Sequence, residues 1–130
     1  MPVLMVAVGR RLGYPLKLVT AKGHLFARWE DEQERFNIET AGRGLSTFPD
    51  SHYRSWPFRA TPLEIKRERH LKSLTPQEEL AVFLEIRAFC LKENGLYQQA
   101  IETLMRALDI IPESILLPLY INDINRLSRK

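Results

Sequence analysis

Three residues in the first third of the chain have the types and spacing that proton-transfer chemistry needs: His24, Asn37 and Glu39. An imidazole beside a carboxylate can pass a proton on, provided both lie on one surface. The spacing argues that they do. Leu25-Phe26-Ala27-Arg28-Trp29 and Arg35-Phe36-Asn37-Ile38-Glu39 alternate apolar and polar residues, and the acidic stretch Glu30-Asp31-Glu32-Gln33-Glu34 between them predicts an antiparallel hairpin. Side chains along a strand alternate faces, so Leu25, Ala27 and Trp29 share a face with Phe36 and Ile38. His24, Arg28, Asn37 and Glu39 then fall on the opposite face. A two- or four-residue turn puts Glu39 directly across from His24 or one diagonal step away, with Asn37 further along. A histidine early in a strand after a glycine is more often structural or merely exposed than catalytic, and Asn37 can equally satisfy a backbone group at a strand end.

The other chemically capable residues offer less. Cys90 is the sole cysteine, which excludes an internal disulfide; it lies mid-helix between Phe89 and Leu91 and reads as a core residue. His52 and His70 lack the neighbours and spacing of a metal site, so neither a metal nor a cofactor is expected. The basic run Lys66-Arg67-Glu68-Arg69-His70-Leu71-Lys72 is interrupted by glutamate and reads as a solvated helix face, not a nucleic-acid site. Gly42-Arg43-Gly44 is too short for a phosphate loop and predicts a turn.

These residues must be carried by an α+β chain. Val3 to Leu12 is apolar almost all round and predicts a buried helix, with Pro2 at its start, Gly13 at its end and Pro15 just beyond. Leu16 to Thr20 adds a third strand to the hairpin. From Ala41 to Ala60 the chain is rich in Gly, Ser, Pro and aromatics, predicting an irregular segment that wraps the core and buries Phe48, Tyr53, Trp56 and Phe58. Thr61-Pro62-Leu63-Glu64 and Thr75-Pro76-Gln77-Glu78 each read as a capping box opening a helix. The expected division is residues 1–60, a connecting helix and linker at 61–76, and a helical region at 77–130. A charge balance of 19 basic to 16 acidic residues, net +3, gives no polycation to seek nucleic acid. The apolar start is too short to span a bilayer and its arginines follow the apolar run, unlike an export signal; a cytoplasmic protein is expected.

The helical region fits the tetratricopeptide pattern of a helix pair. Leu84, Arg87, Ala88 and Leu91 occupy the first helix's signature slots, and Ala100, Leu104 and Pro112 follow in register, with Asn94-Gly95 at the turn. Ala88 and Ala100 carry the match, because helices approach closely only where side chains are small. Arg87 departs from it by placing a charge in an apolar slot. A plain helical hairpin is the lesser alternative for the same residues. Ile115 to Arg129 predicts a further helix closing the stack.

The first third also resembles the transglutaminase-like superfamily, through the apolar helix running into Arg11-Leu12-Gly13-Tyr14-Pro15, the strand Leu16 to Thr20, Gly23-His24-Leu25-Phe26 and Phe36-Asn37-Ile38-Glu39. Bacterial members of that superfamily occur with tetratricopeptide tails. The resemblance implies a papain-type Cys-His-Asp site in which His24 is the general base and Glu39 replaces the aspartate that orients it, with Asn37 as substitute in a shifted register. It places the nucleophilic cysteine at the head of the first helix, where no residue of this sequence can attack, so the N-terminal part reads as truncated or as a catalytically dead relative.

The resulting expectation is a remnant or fragment of a transglutaminase-like domain, non-catalytic as it stands and working through contact with a protein or peptide. Self-pairing into a homodimer is compatible with it; membrane and nucleic-acid partners are not expected. The alternative is a pure helical adaptor, with a nucleic-acid binder through residues 66–72 ranking behind it.

Overall fold

The computed structural model describes every residue except Arg43 and Lys130, so the expected turn at Gly42-Arg43-Gly44 falls partly outside the described residues. The chain is α+β and forms two compact units, Met1–Leu74 and Thr75–Lys130. The first contains α1 (Pro2–Arg11), β1 (Leu16–Ala21), β2 (His24–Glu30), β3 (Arg35–Ile38), α2 (Asp50–Tyr53) and α3 (Pro62–Arg67).

The three strands form one antiparallel sheet in the order β1-β2-β3. A two-residue turn joins the first pair, with Gly23 at φ 70° where a side chain would be strained. Trp29 pairs with Phe36 and Ala27 with Ile38, so the apolar faces coincide as the alternation requires. The intervening four residues are held by Asp31, whose Oδ1 accepts from the backbone N–H of Gln33 and of Glu34, each at 2.8 Å.

One sheet face carries α1, which buries Val6 against Leu16, Leu18 and Ala27. Gly9 permits the approach, since a Cβ there would lie 2.3 Å from Leu16 Cδ1. The helix is not buried all round: Leu4, Val8 and Leu12 are 58%, 48% and 67% accessible. Only one flank of a helix can rest on a single sheet face.

The opposite face packs Val19, Ala21 and Phe26 against Tyr53, Leu71 and Ile65 from the later segment. That segment covers the core, yet only Tyr53 of its four aromatics is fully buried; Phe48, Trp56 and Phe58 remain partly in solvent. Residues 61–74 belong to this unit instead of forming a linker. Leu71 N–H donates to Thr20 O and Leu74 N–H to Leu18 O, running the chain along the free edge of β1.

The second unit contains α4 (Pro76–Glu93), α5 (Tyr97–Ile110) and α6 (Leu116–Ser128). Thr75 and Glu78 form the expected capping box, as Thr61 and Glu64 do for α3. Ala88 and Ala100 are fully buried in one cluster with Leu104 and Ala107, and α6 closes it with Leu117 and Ile124. Cys90 is exposed, not a core residue. It lies two residues beyond inward-facing Ala88, which at 3.6 residues per turn carries it round to the outer side. No helix among the described residues is long and apolar enough to cross a membrane.

Candidate functional site

His24 opens β2 directly after the Gly23 turn. Glu39 follows β3 and is fixed by a bridge to Ser46, whose carbonyl accepts from Glu39 N–H at 2.7 Å. Continuing the observed register sets Glu39 opposite Phe26, one diagonal step from His24. The side chains meet there: His24 Nε2 lies 2.7 Å from Glu39 Oε2.

Three further donors converge on the carboxylate. Thr40 and Ala41 N–H donate to Oε1 at 2.9 and 2.8 Å, and the Tyr53 hydroxyl donates to Oε2 at 3.1 Å. Burial opposes ionisation of Glu39, but the bonds from Ala41, His24 and Tyr53 outweigh it and hold the carboxyl below its ordinary pKa. The same arrangement pushes Tyr53 up, first through burial and then through the charge of Glu39. Tyr53 therefore stays a donor.

Because an ionised carboxylate only accepts, His24 must donate through Nε2, which leaves the lone pair on Nδ1. No described residue bonds Nδ1, and it is absent from the buried polar atoms without a partner, so it meets solvent. The ring meets Trp56 in a T-shaped contact at a centroid distance of 4.7 Å and lies near-parallel to Tyr53 at 6.1 Å. The unit thus presents an oriented imidazole whose free nitrogen can take a proton.

Asn37 does not join this pair. It sits opposite Arg28 in the ladder, accepts from Arg28 Nε at 2.8 Å, and donates through Nδ2 to Phe48 O at 2.9 Å and Asp50 Oδ1 at 2.8 Å. Arg28 is fully buried; its Nη1 donates to Leu71 O at 3.2 Å and its Nη2 to Asp50 Oδ1 at 2.7 Å. Burial lowers the Arg28 pKa while Asp50 works against that shift. This network ties residues 48–50 and 71–73 to the sheet and positions Tyr53 behind Glu39.

Comparison of the chain with protein-family models, curated proteins and solved structures finds no match.

The first unit contains no thiol, since the sole cysteine lies in α4. α1 also packs on the sheet face opposite the one that carries His24 and Glu39. The exposed flank of α1 borders an open cavity of about 620 Å³, lined by Met1, Leu4 and Val8 together with Leu16, Thr40 and Leu45. His52 stacks on Phe48 at 4.4 Å, and His70 Nδ1 lies 3.0 Å from Thr20 Oγ1. Among the described residues no group of His, Cys, Asp and Glu could hold a metal ion.

Arg28, Asp50 and Tyr53 belong to this arrangement and sequence reasoning misses them in that role. Alternation puts Arg28 on the correct face but gives that face as polar and open; nothing local in a strand announces that a segment 22 residues later covers it.

Proposed function

We propose that the first unit is a transglutaminase-like remnant or fragment, and that His24 and Glu39 are the base and orienting acid of a cysteine-type acyl-transfer site. The reading rests on the 2.7 Å contact between His24 Nε2 and a buried, fully hydrogen-bonded Glu39, with Nδ1 open. In such a site Nδ1 takes the proton of a thiol, the thiolate attacks an acyl carbonyl, and Glu39 holds the imidazole in the proton-accepting tautomer. These 130 residues supply no thiol beside His24, so within them the unit does not catalyse and works by protein contact. The second unit, a tetratricopeptide-like helix pair with a closing helix, would hold a protein or peptide partner in the cytoplasm.

The test replaces Cys90 by Ser to remove the exposed thiol. Any further thiol the gene product carries should react with iodoacetamide, and His24→Ala should slow that reaction roughly 100-fold. A product with no such thiol, or one whose alkylation ignores His24, leaves the pair as an internal staple. The helical-adaptor reading would then stand.

A further inference from the structure

We infer that the first unit carries a docking site for an acidic peptide segment, built around Arg54 and Arg59 and separate from the His24–Glu39 chemistry. The two arginines line an open cavity of about 770 Å³ with Lys22, Ser55, Thr61 and Glu64. The chain between them is closed on itself, with Ala60 N–H donating to Arg54 O at 3.0 Å, which brings residues five apart to one rim. A guanidinium offers a planar fork that matches a carboxylate.

The charge at this rim is uncompensated. Arg28 pairs with Asp50, Arg35 with Glu30 and Asp50, and Arg126 with Asp123, whereas neither Arg54 nor Arg59 has an acid partner among the described residues. Glu64 is the cavity's own carboxylate and is already committed. Its Oε1 lies 2.6 Å from Lys22 Nζ and its Oε2 accepts from Thr61 N–H at 2.7 Å, a pairing that holds it down to about pKa 2. Lys22 and Glu64 cancel, so the two guanidinium groups define the field in the cavity.

The neighbouring surface suits a peptide better than a nucleic acid. Phe58 and Leu63, next in sequence to the lining residues Arg59, Pro62 and Glu64, are 60% and 54% accessible and offer apolar contact to side chains flanking an acidic residue. Two arginines at a concave rim do not form the extended cationic track that neutralises successive phosphates. An acidic segment carrying an apolar residue next to its carboxylates is the occupant that both the charge and the exposed surface complement.

Fluorescence anisotropy of a labelled twelve-residue peptide alternating Glu with Leu tests this on the intact chain. Binding should weaken about three- to tenfold in Arg54→Gln and in Arg59→Gln, more in the double variant, and should vanish for the peptide with Gln in place of Glu. Arg106→Gln, in the second unit, is the control and should leave affinity unchanged. Circular dichroism establishes that each variant is folded, and Arg→Lys at both positions supplies a milder pair should the Gln variants unfold. Indifference of the acidic peptide to both arginines, equal binding of the Gln peptide, or tighter binding of a single-stranded oligonucleotide of equal charge overturns the inference. His24→Ala should not alter peptide affinity, so failure here and failure of the acyl-transfer reading are separately visible.

Discussion

Replacing Glu39 by glutamine keeps the shape of the side chain and inverts half of its hydrogen bonding. The carboxylate accepts four bonds, two at each oxygen. A glutamine has one accepting oxygen, which must face the Thr40 and Ala41 N–H groups because those cannot do anything but donate. Its NH2 then points at His24 Nε2 and the Tyr53 hydroxyl, two groups that both donate in the native protein. Each must become an acceptor, so the proton of His24 moves to Nδ1 and the free lone pair is lost. Two charge-assisted bonds become neutral and two are inverted, costing about 2–3 kcal/mol. Both tryptophans, Trp29 and Trp56, lie in the first unit, so their fluorescence in urea reads this unit alone, and the midpoint should fall by roughly 1–2 M. Long-range 1H–15N spectra of the three histidines should show the Nε2–H form of neutral His24 in the native chain and the Nδ1–H form in Glu39→Gln. A native chain already in the Nδ1–H form, or a variant with unchanged tautomer and midpoint, refutes the reasoning.

Arg28→Met should lower the fluorescence midpoint by the equivalent of about 2–4 kcal/mol, at the low end of breaking a buried pair because Asp50 retains Arg35 and some solvent. Arg28→Met at native stability would show that the network ties nothing down. Glu39 is held below its ordinary pKa in the fold, so its contribution is present above the unfolded value of 4.5 and is lost as pH falls through the folded one. Acid titration of the native chain should therefore show destabilisation below pH 4.5 that Glu39→Gln lacks. His70 is lowered too, by burial first, and its Nε2 has no partner; neutral His70 supports the fold above pH 6.5 and loses that support as pH drops through its folded pKa. Replacing it with phenylalanine should flatten the midpoint between about pH 7 and pH 5, and an unaltered slope would remove His70 as the cause. Ala100→Leu places three extra carbons at a fully buried helix contact and should cost about 1–3 kcal/mol by helical circular dichroism; an unchanged helical midpoint would show that the α4–α5 contact is not close-packed there.

What the amino-acid order makes legible is local. Both capping boxes need only four consecutive residues, and the β2–β3 register follows from alternation plus a turn length, so the spacing by itself implies the His24–Glu39 juxtaposition. That residues 41–60 cover the core is legible from their aromatics, but the contacts that fix the cover are not, because Asp50 reaching Arg28 and Leu71 reaching Thr20 are set by closure of long loops. The same gap explains why the apolar run of α1 suggests burial on all sides and why 61–76 suggests a connecting helix and linker. Cys90 misleads for a simpler reason: its apolar neighbours suggest burial, whereas its angular position relative to Ala88 decides its exposure.

The return of residues 71–74 along the outer edge of β1 also sets an order of events during synthesis. All three strands have left the ribosome by residue 38, but the strand that leads them stays unsealed until residue 74 follows. At translation rates of roughly 5–20 residues per second that interval lasts about 2–7 s. For that time the nascent chain displays a bare ladder edge, and a chaperone or a neighbouring nascent copy has its opening there.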